Sequence, residues 1–275
     1  MKLLTLNTHS LVEENYEKKL ADFIDAVRRT EPDVIALQEV NQSRDSAAAS
    51  AHRLTGYLPC QHGVPIRQDN HAYRIAQVLK DYQWTWLPLK IGYDWYDEGL
   101  AILTRKKITN VDVIHLSRTD DYHNWKTRKA LGICTENGTW YYSVHMSWWD
   151  DADEPFLPQW ERIKTRTKGL ACVWLMGDFN NPAEVRSEGY DRITADGWHD
   201  SYLLAKEKDC GLTVGTVIDG WREKITETEG MRIDQIWCSK AVPVRSSSVL
   251  FNGIHEPVVS DHYGVLVTLD EEVLS

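Results

Sequence analysis

The chain is punctuated by apolar runs of six to eight residues that stop at a polar or acidic side chain. They are KLLTLN (residues 2–7), DVIALQ (33–38), GLAILT (99–104), ALGICT (130–135), WYYSVH (140–145), ACVWLMGD (171–178), RIDQIWCS (232–239) and YGVLVTL (263–269). Runs this short, rich in β-branched and aromatic residues, read as strands. Helical spacing is found at Tyr16, Leu20, Phe23, Ile24 and Val27, closed by Pro32, then at Ala72, Ile75, Ala76 and Leu79, and again around Trp160, Ile163 and Lys164. Many strands with few interleaved helices predict an α/β fold in which two packed sheets carry helices on their outer faces, a two-sheet α/β sandwich. A barrel of eight regular βα units would need more helices. No linker, low-complexity tract or repeat marks a boundary, so one domain over residues 1–275 is expected.

The residues that end these runs carry the functional signal. Asn7 closes the first strand, Glu39 follows the second in LQEV, His145 closes the WYYSVH run, and Asp178 and Asn180 lie in GDFN. Asp234 interrupts the apolar run RIDQI, and Asp261 and His262 precede the last strand in SDHY. Singly, Asp and Asn end strands and a histidine satisfies one core hydrogen bond. Together they argue for a site, because carboxylates beside buried strands are costly unless a cation or a reaction uses them. The set holds no thiolate and no HExxH pair, so Mg²⁺ or Mn²⁺ fits better than Zn²⁺. A hard cation on one or two carboxylates polarises a phosphoryl oxygen and stabilises charge on a leaving oxygen. His145 and His262 are then candidates for general acid and base, with Glu98 and Asp234 available to fix their tautomers.

In this order and at these spacings, LNTHS, LQEV, EGLAIL, SVHMSWW, GDFNNP, RIDQI and SDHYGV resemble the endonuclease/exonuclease/phosphatase superfamily. That superfamily includes DNase I, exonuclease III-type repair enzymes, neutral sphingomyelinases and inositol-polyphosphate 5-phosphatases. GDFN together with SDH is the specific part of the match. The resemblance implies the two-sheet α/β sandwich and a set of roles. Asn7 and Glu39 are similar to metal ligands, Asp178 and Asn180 to residues that position or deprotonate the attacking water, and Asp261 to a further metal or phosphate-side carboxylate. His262 is similar to a residue that contacts the scissile phosphate or acts as base, oriented by Asp234. The Glu98 and His145 pair resembles DNase I and the sphingomyelinases more than the exonuclease III branch. Arg128, in TRKALG, stands where that branch places a phosphate-binding cation. Within the superfamily, the tryptophan pair of SVHMSWW, IGYDWYDEG and DGW at residues 219–221 resemble bacterial maltose 6'-phosphate phosphatases and their relatives.

Charge and aromatic content then bear on the substrate. The chain has 41 acidic against 31 basic residues, a formal net charge of −10, and no basic run beyond Arg105, Lys106 and Lys107. A nuclease must counter many backbone phosphates, so nucleic acid is the less favoured substrate, although DNase I-type enzymes can also be acidic. With 12 Trp and 12 Tyr against 4 Phe, rings that carry a polar edge dominate, as suits the walls of a wet cleft. Trp95, Trp148, Trp149 and Trp221 lie on loops flanking the expected site, whereas Trp140, Trp174 and Trp237 read as core. Trp148 and Trp149 are expected to stack on a sugar ring and His9 to touch substrate, so the expected ligand is a small sugar phosphate. The same aromatics would suit a lipid interface, as in a sphingomyelinase, but no aromatic hairpin tip is evident. A binding module without catalysis is disfavoured because every catalytic position that can be placed is present. His52, His62, His71, His115, His123, His199 and His255 read as surface or structural. Five widely spaced cysteines without a CxxC pair read as free thiols. No run of about 18 apolar residues could span a membrane, and Asn7, Thr8 and His9 cut short the apolar start, so a cytoplasmic protein is expected.

Overall fold

In the computed structural model, which describes residues 1–61, 63–215, 218, 221 and 230–270, thirteen strands fall into two sheets. In chain order they are β1 (Lys2–Asn7), β2 (Val34–Ser43), β3 (Gln83–Gly92), β4 (Tyr96–Thr104), β5 (Ile108–His115), β6 (Lys129–Thr135) and β7 (Trp140–His145), followed by β8 (Val173–Asp178), β9 (His199–Asp200), β10 (Ala205–Lys208), β11 (Asp234–Cys238), β12 (Val244–Leu250) and β13 (Gly264–Leu269). One sheet has the order β10-β12-β13-β1-β2-β4-β3, the other β5-β6-β7-β8-β11-β9. At the middle of each sheet lies a parallel pair, β1 with β2 and β7 with β8. The fold is the expected DNase I-like α/β sandwich.

Strand alternation builds the layers. Val34 and Ala36 of β2 face the apolar space between the sheets, together with Leu3, Ile102, Ile133, Met176, Ile236 and Val267. Their neighbours Ile35 and Leu37 face outward onto a second cluster with Phe23, Ile24 and Val27. Those three come from α1 (Tyr16–Thr30), which ends where Glu31 adopts φ 49° before Pro32. Helix α2 (His71–Val78) covers the same face, capped by the Asn70 side chain accepting from the Tyr73 amide. On the other sheet, α3 (Phe156–Thr167) lays Phe156, Trp160 and Ile163 over Tyr142, Val144 and Leu175, beside α4 (Gly189–Ala195), while the short α5 (Ser201–Leu204) precedes β10. Among the described residues, no helix is long and apolar enough to cross a membrane.

Two irregularities aim side chains at the sheet ends. The β2–β4 register slips between Leu37 and Val40, so Gln38 and Glu39 bulge where Glu39 takes φ 49°. The β3–β4 register slips between Pro88 and Lys90, which sets Lys90 directly across from Glu98. Such bulges re-aim side chains beside active sites. Both meet at Gly99, where a Cβ atom would lie 2.1 Å from the Leu87 carbonyl oxygen, so a larger residue would push β3 off β4. Just beneath, the Gln38 amide donates to Ser143 Oγ (2.9 Å) and Ser143 donates to the Leu37 carbonyl (3.0 Å), tying the two sheets together.

Candidate active site

Strand register assembles the site. His145 of β7 stands opposite Asp178 of β8, and Asp178 stands opposite Asp234 of β11, so three ionisable residues form one row across three strands. From the other sheet, Asn7 ends β1 and the β2 bulge turns Glu39 toward the same end. The Asn7 amide donates to Glu39 Oε1 (2.9 Å) and to Asp178 Oδ2 (3.3 Å), joining the carboxylates of the two sheets. His145 Nε2 lies 3.6 Å from Asp178 Oδ2, and its Nδ1 lies 3.9 Å from Glu39 Oε1. His262, on the segment before β13, places Nδ1 2.9 Å from Asp234 Oδ2 and Nε2 4.0 Å from Asp178 Oδ2. Asn180, with φ 49°, donates its backbone N–H to Asp178 Oδ1 (2.8 Å) and its side-chain amide to the Met146 carbonyl (3.0 Å), and accepts from Trp221 Nε1 (3.0 Å).

Burial sets the charges. It drives the Glu39 carboxyl upward, helped by Glu98, and the Asp178 carboxyl upward, helped by Asp234. His145 is pulled well below the usual imidazole range by burial and by Arg128, Lys90 and His262 around it. Burial opposes the charge on His262 too, yet Asp234 and then Asp178 and Asp261 push it up to about 10. The site thus pairs a neutral imidazole with a cationic one on either side of Asp178. Crowded hard-oxygen donors whose negative charge is disfavoured, bridged by a neutral amide, are the chemistry a divalent cation relieves, so Asn7 and Glu39, beside Asp178, fit such an ion.

These groups floor a cavity of about 350 Å³. Glu39, His145, Asp178, Asn180 and His262 line it, with Glu98, Lys90 and Arg128 on one side and Tyr93, Trp125 and Trp148 as aromatic walls. Trp125 meets Trp148 edge-on, with ring centroids 6.2 Å apart. Lys126 anchors the Trp125 loop through Asp151 (2.9 Å) and Asp153 (2.7 Å).

Four expectations need correction. Glu98 does not partner His145: it lies 3.1 Å from Lys90 Nζ, because the β3 bulge puts Lys90 opposite it. Trp149 is absent from the cavity wall and packs on Phe156, centroids 6.2 Å apart, because α3 begins beneath it. His9 does not line the cavity either, since Glu13 (2.7 Å) and Asp261 (3.9 Å) hold its Nδ1, and its Nε2 lies 2.9 Å from the hydroxyl of Tyr93, which does line it. Asp261 is turned to His9 and Ser260 and does not line the cavity as Glu39 does, and Asn7 lies behind the lining, bonded to Glu39 and Asp178. Of the flanking tryptophans, Trp95 is exposed and does not line the cavity, and Trp221 donates to Asn180. Asp219 and Gly220 of the DGW motif, and His62, lie outside the described residues. Sequence reasoning missed Lys90, Tyr93 and Trp125. A lysine inside an otherwise apolar strand run was the available signal for the first, while loop folding alone delivers the other two.

A sandwich of two mixed sheets with a row of carboxylate and imidazole side chains at its edge is the DNase I-like architecture. The chain belongs to the endonuclease/exonuclease/phosphatase family, whose model matches residues 4–262. It is 30% identical to a family protein from Leptotrichia buccalis C-1013-b, covering 98% of this chain and 99% of that one, with a TM-score of 0.85. A mannosyl-6-phosphatase from Bacteroides thetaiotaomicron VPI-5482 is 17% identical over 98% of this chain and 99% of its own (TM-score 0.65). A 3'-5' exonuclease from Neisseria meningitidis is 18% identical over 98% and 100% (TM-score 0.64). At those identities the likeness is one of fold. No curated protein matches the chain.

Proposed function

We propose that the chain is a Mg²⁺- or Mn²⁺-dependent phosphoric ester hydrolase acting on a small phosphorylated sugar. The observation that carries this reading is the cavity itself, in which an acid–base floor is enclosed by Tyr93, Trp125 and Trp148 in a space of about 350 Å³. That volume suits a small ligand, and aromatic faces suit the C–H faces of a sugar. Net charge supports it, because −10 opposes a polyanion more than a single phosphate. The sequence resemblance to maltose 6'-phosphate phosphatases and the fold shared with a mannosyl-6-phosphatase agree with it.

The residues divide the work. Asn7 and Glu39 would hold the metal ion, with Asp261 close enough for its charge to press on Glu39. When bound, that ion supplies charge stabilisation to the phosphoryl oxygens. Asp178, whose raised carboxyl makes it a base matched to neutral water, takes the proton of the attacking water as Asn180 fixes its geometry. His262, kept cationic by Asp234, faces the phosphate, and neutral His145 exchanges a proton across Asp178. Water oxygen bonds to phosphorus as Asp178 takes its proton, the bond from phosphorus to the sugar oxygen breaks, and that oxygen takes the proton cationic His262 gives up, which Asp178 then restores to His262. Arg128 contributes a buried guanidinium beside these groups. The test is release of inorganic phosphate from a panel of sugar phosphates in Mg²⁺, set beside plasmid DNA, an abasic oligonucleotide and sphingomyelin. Turnover confined to the sugar phosphates is expected. Efficient nicking of DNA with no sugar phosphate turned over would overturn the reading.

A further inference from the structure

We infer that Lys90 is a substrate-binding residue which, with Arg128, receives the second negative charge of a phosphomonoester dianion, so that the cavity selects monoesters over diesters. The inference rests on the phosphoesterase reading above and deepens it. Lysine is almost never fully buried without a partner. Yet Lys90 is 6% exposed and Arg128 3%, and both line the cavity.

They are also brought together. Lys90 Nζ donates to the backbone carbonyl of Trp125 at 2.9 Å, and Arg128 Nη1 donates to the same oxygen at 3.0 Å. Two cations sharing one acceptor repel at short range, at a cost an anion between them would remove. Among the described residues one carboxylate lies within ion-pair distance of either, Glu98 at 3.1 Å from Nζ. Among the described residues Arg128 has no carboxylate within ion-pair distance, and its Nε is buried with no hydrogen-bond partner. Two cations thus share one close counterion at the cavity wall, Glu39 and Asp178 acting on Arg128 from further off, and one guanidinium donor is unused.

A diester presents two non-bridging oxygens and a single charge. A monoester above its second ionisation presents three and two charges. The third oxygen and second charge are what a lysine beside an arginine can add. The same Trp125 carries the exposed ring at the mouth, so the residue expected to meet the sugar also sets the two cations by its carbonyl.

A purely structural Lys90, serving only as counterion to Glu98, predicts something different, and small esters separate the two. With the Mg²⁺-loaded full chain at about pH 8, where a phosphate monoester is a dianion, kcat/KM is measured for p-nitrophenyl phosphate and for bis(p-nitrophenyl) phosphate. Lys90→Gln is expected to lower the monoester-to-diester ratio by about tenfold or more, the order of a lost charged hydrogen bond. Equal losses on both esters would overturn the proposal. In wild-type protein, calorimetry should show inorganic phosphate binding at least about tenfold tighter than dimethyl phosphate, and equal affinities would overturn it even if the variant failed to fold. Neither measurement uses a sugar, so failure here is distinct from failure of the sugar-phosphate reading.

Discussion

Asp234 Oδ2 lies 2.9 Å from His262 Nδ1 in a buried site, and its other oxygen, Oδ1, has no hydrogen-bond partner among the described residues. One carboxylate is thus committed to one imidazole, whose remaining nitrogen points toward Asp178. Register explains how the pair survives folding: Asp234 is held by β11 against β8, and its backbone N–H donates to Thr213 Oγ1 at 3.1 Å.

Breaking that commitment should affect turnover more than binding. Asp234→Asn keeps the shape and removes the charge that keeps His262 cationic, so kcat is expected to fall by about 10²-fold or more while KM changes little. His262→Ala should lose as much, and the double variant little more than either single one, because the two act as a unit. Steady-state kinetics on the three variants, with circular dichroism to verify folding, check this. Additive losses would separate the residues.

Most of the site was legible in the sequence because the residues end strands. Asn7, His145 and Asp178 are the last residues of β1, β7 and β8, where a polar residue after an apolar run is visible by eye. The strands themselves were legible where apolar. They were not where Pro88 and Lys90 interrupt β3, where Asn110 is exposed and Asp112 is taken up by Tyr142 and Arg166 on β5 at a sheet edge, or where Ser246, Ser247 and Ser248 fill β12. Register slips are invisible to periodicity, since one extra residue reverses which side chains face the cavity. Hence Glu98 was paired with the wrong partner, and Lys90 was overlooked. Adjacent loop residues are no easier, and Trp148 and Trp149 diverge because the helix that follows captures only the second.

Metal dependence follows from the hard-oxygen donors. Exhaustive treatment with EDTA should abolish activity, and Mg²⁺ or Mn²⁺ should restore it. Glu39→Gln should raise the Mg²⁺ concentration needed for half-maximal rate by about tenfold or more, the usual scale for a disturbed metal site. Undiminished turnover by protein shown by elemental analysis to hold no metal would exclude this role for Glu39 and Asn7.

The aromatic wall and the aromatic support should be separable. Trp125→Ala is expected to raise KM for a sugar phosphate by about 2- to 10-fold, the scale of a ring contact, and to leave p-nitrophenyl phosphate nearly unchanged. Trp149→Ala removes a half-buried ring from Phe156. It should therefore lower stability by roughly 2 kcal/mol, less than a fully buried Trp, and leave both KM values alone. Kinetics on the two substrates and denaturant unfolding distinguish the outcomes. A KM effect at Trp149 would return it to the substrate wall.

Stability should fall in mild acid because of a histidine remote from the cavity. His71 is buried at the start of α2, where its Nδ1 and the Tyr16 hydroxyl share a hydrogen bond of 2.9 Å. Burial, with Arg74 adding repulsion, lowers its pKa to about 3 from an ordinary 6.5. The unfolded chain therefore takes up a proton at this site before the folded chain does. The stability it contributes is complete above about pH 6.5 and is lost as pH falls from there toward 3. By pH 5 the loss amounts to about 2 kcal/mol. His71→Gln keeps a hydrogen-bonding partner for Tyr16 but cannot titrate. The drop in Tm between pH 7.5 and 5 should accordingly be smaller in this variant than in wild type by at least about 4 °C, as scanning calorimetry would show. An unchanged drop would mean that His71 is protonated in the folded protein, with the Tyr16 hydroxyl accepting its proton.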